Sequence, residues 1–175
     1  MTNVVYCDPT VPPARSSRQA NALAERLEQG ARALASLAAS LTDAQWQIRI
    51  PHDGRTVGIV VHHVASMYPI EIQVAQAIAE GKPVTGLTWG VVDTINAKHA
   101  SENESVTRQA ALELLQRNSA EAAAAVRALS DEQLAQAVPV SLYADAPLTC
   151  QFVLEDHAVR HSYHHLARLR QTVRV

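Results

Sequence analysis

His157-Ala158-Val159-Arg160-His161-Ser162-Tyr163-His164-His165-Leu166-Ala167-Arg168 holds four of the chain's eight histidines and nothing that breaks a helix. Leu154, Ala158, His161, His165 and Leu169 recur at helical spacing. Residues four apart on an α-helix are offset by only ~40° and one turn, so His161 and His165 stand one above the other. Two imidazoles placed in this way can share a metal ion without bending the helix. A third donor is needed before the pair counts as a site, and the rest of the chain decides whether one can reach it.

Working outward, Thr149 caps this last helix, expected over 150–172. Near the start, Ala20, Leu23, Leu27, Ala31, Leu34, Leu37 and Leu41 recur at three and four residues, an amphipathic helix begun by Ser16 or Ser17. Thr42-Asp43-Ala44-Gln45 caps a short turn carrying Trp46. Thr56 caps a second long helix, with Val57, Val60, Val61, Val64, Met67, Tyr68, Ile70, Val74, Ala77 and Ile78 in phase. Gly81-Lys82-Pro83 stops it. Pro69 lies inside, removes the backbone bond to the carbonyl of Ala65, and predicts a kink close to His63.

Residues 84–90 read as a loop and 91–101 as a shorter helix. A third long helix runs from Ser105 or Thr107 to Leu129, with Ala111, Leu114, Leu115, Ala122, Val126 and Leu129 inward. Ser130 caps a turn holding Leu134, and residues 137–147, with two prolines and no helical period, read as a crossing loop. The sum is an all-α protein, an antiparallel four-helix bundle with long crossover connections. Pro9, Pro12 and Pro13 make residues 1–15 an extended lead-in, and residues 16–175 are expected to form a single domain.

Bundles build metal sites between facing helices. His62 and His63 sit mid-helix in an otherwise apolar run. His63 lies one turn from Val60 and Met67 and shares their buried stripe, whereas His62 points ~100° away, toward the surface or the outer side of a site. A lone histidine in such a stripe is more often a packed core residue. Its coincidence with an inward pair on another helix points to metal.

Composition excludes several classes. Nearly half the residues are apolar, aromatics make up 4%, and the net charge is −2. The arginines are spread out, with no basic run to follow a nucleic-acid backbone. No apolar run approaches the ~20 residues of a membrane span. The first 18 residues lack the apolar core of a signal peptide, so a cytoplasmic protein is expected. Cys7 and Cys150 have no metal or redox spacing and are expected as free thiols.

Leu41-Thr42-Asp43-Ala44-Gln45-Trp46, then Asp53-Gly54-Arg55-Thr56-Val57 and His63-Val64-Ala65, resemble the entry to the second helix of the DinB-like superfamily. That superfamily includes the N-terminal domains of mycothiol-dependent maleylpyruvate isomerases and the bacillithiol transferases. Val92-Asp93-Thr94-Ile95-Asn96-Ala97 and Ala128-Leu129-Ser130-Asp131-Glu132-Gln133-Leu134 look like its later segments, and His161-Ser162-Tyr163-His164-His165 like its H-x-x-x-H helix. The resemblance covers 16–170. It implies an up-up-down-down bundle of DinB-like type, homodimers, and a divalent metal held by His63, His161 and His165.

Three neutral imidazoles leave a coordination position open, as catalytic sites require. Zinc is the expected ion, with nickel, iron or manganese as alternatives. The resemblance implies thiol-S-transferase or isomerase chemistry on a small electrophile, with a low-molecular-weight thiol as co-substrate. The alternatives are a hydrolase using metal-bound water and a non-catalytic metal-binding or stress-response module. A small molecule is the expected partner, with neither nucleic acid nor membrane.

Other side chains are read more plainly. His157 is expected to pack at the surface and His164 to face solvent. Glu155 and Asp156 are candidates to orient an imidazole, or serve the helix dipole alone. Trp46 and Trp89 are expected as packing anchors. Arg160 and Arg168 are candidates for carboxylate binding at the site mouth, surface salt bridges being the commoner fate. Cys150, over 15 Å along the helix from His161 at ~1.5 Å per residue, is too far to ligate.

Overall fold

The computed structural model describes residues 17–173. The lead-in expected over 1–15, and Cys7 with it, lies outside the described residues. Helix α1 is Arg18–Ser40, capped by the Ser17 hydroxyl, which accepts from the Ala20 amide. The short α2, Asp43–Trp46, opens on a reciprocal capping box between Thr42 and Gln45. Helix α3 is Val57–Ala79, capped by Thr56. Helices α4 (Trp89–Glu102), α5 (Arg108–Arg127) and α6 (Asp131–Ala135) follow, capped by Thr88, Thr107 and Ser130. The third long helix thus stops two residues short of Leu129, and α4 starts two residues earlier than its apolar pattern suggested.

Residues 137–147 are not the irregular loop their prolines predicted. Strands β1 (Ala137–Val140) and β2 (Ala146–Thr149) form an antiparallel hairpin around a 3-10 turn at Ser141–Tyr143. Pro139 pairs opposite Pro147. The Pro139 carbonyl accepts from the Val84 amide instead of from β2. The two prolines therefore share a non-hydrogen-bonded pair, where neither needs an amide proton.

The last helix also departs from expectation. It begins as α7 (Cys150–Val153), passes through a π-helical turn at Leu154–Val159, and continues as α8 (Arg160–Val173). Cys150, Val153 and Leu154 are buried up to the first residue of the turn, and Ala158, Ser162, His165 and Leu169 from its last residues onward. On an unbroken α-helix these two sets would be out of phase by roughly 100°, about the angle one inserted residue adds. The π turn lets both sets face the bundle.

Four long helices, α1, α3, α5 and α7–α8, enclose one apolar core. α5 packs on α1 and α3, and α8 packs on both as well, so α1 and α3 lie on one diagonal. Arg26 meets Glu155 while Gly30 lies against Ser162 and Tyr163, so α1 and α8 run parallel. Tyr68 meets Ser162 and Glu71 meets His161, so α3 and α8 run antiparallel. The bidentate pair of Glu28 with Arg127 and the pair of Asp43 with Arg108 make α5 antiparallel to α1. The order is therefore up-down-down-up, not the up-up-down-down that the resemblance implied. Since α3 and α5 point the same way, the chain must return along the bundle between them, and α4 makes that crossing.

Two local fits carry this arrangement. α3 runs through Pro69 without a break, and the Ala65 carbonyl that Pro69 deprives of its bond accepts instead from Asn118 Nδ2 of α5 at 2.9 Å. At the start of α3, Gly58 faces the Trp46 indole so closely that a Cβ would lie 2.4 Å from the ring. Trp46, 4% exposed, donates its indole N–H to the carbonyl of Val106. It is a packing anchor as expected. No helix among the described residues is long and apolar enough to cross a membrane.

Asn118→Ala leaves the Ala65 carbonyl buried without a donor. A loss of ~1–3 kcal/mol is expected, read as a lower urea midpoint at unchanged m-value. Gly58→Ala drives a methyl group into the Trp46 ring and is expected to cost a further ~1–3 kcal/mol by the same measurement. An unchanged midpoint in either variant would show that the contact bears no load.

Candidate metal centre

Helix α3 supplies His63, 4% exposed, and α8 supplies His161 and His165, the latter 5% exposed. The ring centroids of His63 and His161 are 5.1 Å apart, those of His63 and His165 5.5 Å, and those of His161 and His165 4.9 Å. One ring nitrogen from each lies within 4.8 Å of the other two. The three histidines singled out from the sequence therefore converge, although ~100 residues of chain separate the first from the others. An ion with bonds of ~2 Å sits among nitrogens spaced slightly more closely than this, a difference small rotations of the rings cover.

The electrostatics suit a cation. His161 Nδ1 is 2.7 Å from Glu71 Oε1, so with the proton on Nδ1 its Nε2 carries the free lone pair. The other oxygen of Glu71, Oε2, is buried with no hydrogen-bond partner. A buried carboxyl oxygen without a partner is costly, and a cation held beside it would offset that cost. Nδ1 of His63 and Nδ1 of His165 are likewise enclosed without partners, which leaves Nε2 as the nitrogen each ring can present. Burial, and after it the proximity of His161 and Arg55, hold His63 and His165 far below the ordinary imidazole value. Both rings are thus neutral at pH 7, with lone pairs available.

The histidines form part of the wall of a cavity of about 360 Å³. Most of the rest of its lining is apolar, supplied by α3, α4 and the hairpin turn through residues such as Ile70, Val92 and Leu142. Trp89 lines it too and is 59% exposed, so it is a wall of the cavity and not the packing anchor expected. The phase of α4 accounts for this, since its one buried residue is His99.

Around the triad the polar side chains pair differently from what the sequence suggests. His62 is half-buried and shares a hydrogen bond with His99 across 2.9 Å, while His99 sets its ring edge-on to His63 at 5.4 Å. Burial lowers His62 and takes His99 to about 4. Glu155 pairs with Arg26, and Asp156 with Tyr143 and Arg160, so neither orients a ring of the triad. Glu71 does, and its signal was present: it is the single acidic residue in α3. His157 packs against the Tyr143 hydroxyl, and His164 is exposed with its ring against His165. Arg168 binds Asp53, which also takes both Nε and Nη2 of Arg55. This network pins the loop before α3 to α8. Gly54, at φ +79°, gives that loop its turn. Cys150 is buried, and its thiol is pushed up to about 11.

Comparison with known proteins places these features in a family. The structure is similar to one described as YfiT from Bacillus subtilis, "a probable metal-dependent hydrolase with an unusual four-helix bundle topology". The TM-score is 0.73 at 22% identity, covering 94% of this chain and 91% of that one. It is also similar to a mycothiol-dependent maleylpyruvate isomerase, with a TM-score of 0.66 at 12% identity over 86% of this chain and 60% of that longer one. No curated protein matches the sequence. The model of the DinB superfamily matches residues 26–169. By the extent of that match, and with the bundle and the three-histidine cluster described above, the chain belongs to the DinB superfamily.

Proposed function

We propose that this chain is a divalent-metal-dependent enzyme that transfers a low-molecular-weight thiol to a small apolar electrophile, with His63, His161 and His165 holding the ion. The observation that carries the reading is the convergence of three imidazoles, one of them braced by Glu71, on the wall of a mostly apolar cavity. His63, His161 and His165 would hold a divalent ion, zinc by its preference for nitrogen donors, which would supply a Lewis acid able to lower the pKa of a thiol or water. Among the described residues, no cysteine, serine or lysine lines the cavity, so the nucleophile comes from solution. Glu71 fixes the tautomer of His161 through Nδ1 and keeps Oε2 in the wall as a proton acceptor. The apolar lining excludes water and selects an apolar substrate.

A second reading, hydrolysis, is favoured by the unpartnered Oε2 of Glu71, which can take a proton from water as readily as from a thiol. The two are separated by assaying the metal-loaded protein with simple aryl esters in the absence of thiol, and with alkyl halides or epoxides in the presence of cysteine-based thiols. Thiol-dependent turnover of the electrophiles supports transfer. Ester turnover that ignores thiol supports hydrolysis.

Elemental analysis of purified protein is expected to give about one divalent ion per chain. His161→Ala and His63→Ala lose it, and full metal retention in either variant rules the assignment out. Glu71→Gln keeps the fold but weakens metal affinity by ~10–100-fold in a chelator competition.

The metal-free protein has a definite pH dependence. Folded His63 and His165 resist protonation, while the unfolded chain takes up protons on them below the ordinary value of 6.5. Unfolding therefore binds protons, and stability falls as pH is lowered from 6.5. Each ring contributes a slope of up to ~1.4 kcal/mol per pH unit. Urea unfolding at pH 7.5 and 5.0 measures this, and His165→Gln is expected to flatten the slope.

A further inference from the structure

The wall of the cavity beside the histidines also carries a guanidinium. Arg160 lines it directly before His161 and is held from one side only. Its Nε donates to the Asp156 carbonyl at 3.1 Å and lies 3.0 Å from Asp156 Oδ1 in an ion pair. Asp156 is itself fixed, its Oδ2 accepting from the Tyr143 hydroxyl at 2.6 Å, and that hydroxyl lies 3.0 Å from His157 Nε2. The guanidinium is thereby oriented through Nε, while Nη1 and Nη2 have no partner among the described residues. Those two nitrogens form the planar fork that matches a carboxylate with two parallel hydrogen bonds.

Arg55, the other arginine on the wall, cannot serve in the same way. Its Nε and Nη2 are committed to Asp53, and its Nη1 is enclosed. The same wall carries apolar side chains: Ile70 and Val74 from α3, Val92 and Ile95 from α4, and Leu142 from the hairpin turn. Trp89 adds an exposed indole face.

We propose that the cavity takes an apolar-bodied carboxylate, its acid group on the Nη1 and Nη2 fork of Arg160, its hydrocarbon body along the apolar wall, and its reacting end at His63, His161 and His165. This names a substrate class for the enzyme proposed above and rests on that reading for the reacting end alone, since the Arg160 fork and the apolar wall exist without an ion. Because Asp156 and Tyr143 already orient the guanidinium, little side-chain freedom is lost on binding. Arg160 is a specificity residue in this scheme, and it takes no part in bond making.

The test is calorimetric titration of the full chain with 4-phenylbutyrate and with its neutral amide, 4-phenylbutyramide, in metal-loaded and in chelator-stripped protein. The acid is expected to bind about tenfold more tightly than the amide in both forms, the low end for a charge-assisted pair at a partly exposed arginine. Arg160→Met is expected to bring the acid down to the amide, and Arg160→Lys to restore part of the difference. Trp89→Ala weakens both ligands alike. Equal binding of acid and amide overturns the proposal, as does failure of both to bind, or a preference that survives Arg160→Met. A preference seen only in metal-loaded protein also overturns it, because the acid would then be sitting on the ion. Failure of the metal reading is separate: absence of bound metal with the Arg160-dependent preference intact would leave this site standing.

Discussion

The buried hydrogen bond between the Tyr68 hydroxyl and Ser162 Oγ, 2.6 Å long, sets the register of the functional half of the bundle. Both residues are 0% exposed, so breaking the bond strands two polar groups in an apolar core, at a cost of ~1–3 kcal/mol for each group left unpaired. Burial also pushes the Tyr68 hydroxyl far above its ordinary pKa, so it stays neutral. With Tyr68 opposite Ser162 on antiparallel helices, Glu71 must fall opposite His161 and His63 opposite His165. A slip by one turn would separate all three pairs. The three-histidine cluster is thus a consequence of one polar contact in the core and the antiparallel sense of α3 and α8.

Around that contact the bundle tolerates features that would otherwise weaken it. Pro69 lies next to Tyr68, and the backbone bond it removes is replaced from a different helix by Asn118. The close approach of α1 to α8 depends on Gly30, where a Cβ would lie 2.9 Å from the Tyr163 ring. The π turn in the last helix restores the phase of its buried face, and beyond it Arg160, His161, His164 and His165 line the cavity. π turns of this kind frequently accompany functional sites, because they redirect side chains without ending the helix.

The cavity owes its shape to the crossover. α4 buries only His99, yet it provides Trp89, Val92, Ile95 and Asn96 to the wall. The parallel sense of α3 and α5 requires a segment that travels back along the bundle, and this chain uses the segment to cover its site. His99, through His62 and against His63, ties that cover to the helix carrying one of the three histidines.

Much was legible in the sequence because it depends on local spacing. The caps at Ser17, Thr42, Thr56, Ser130 and Thr149 act over three residues, and each falls at or within one residue of the position its spacing predicts. The 3.6-residue period placed His63 on the buried stripe of α3, and the i, i+4 spacing placed His161 and His165 on one face. What lay beyond reach were the pairings between segments distant in the chain. Glu71 on His161, Asn118 on Ala65, His99 on His62, the direction of each helix and the hairpin of Pro139 with Pro147 all depend on which elements meet. Periodicity specifies which side of a helix is buried, and that sufficed to nominate three histidines. Their partners, the cavity beside them and the order of the helices were fixed only when tertiary packing matched each polar group buried by one segment with a group carried by another.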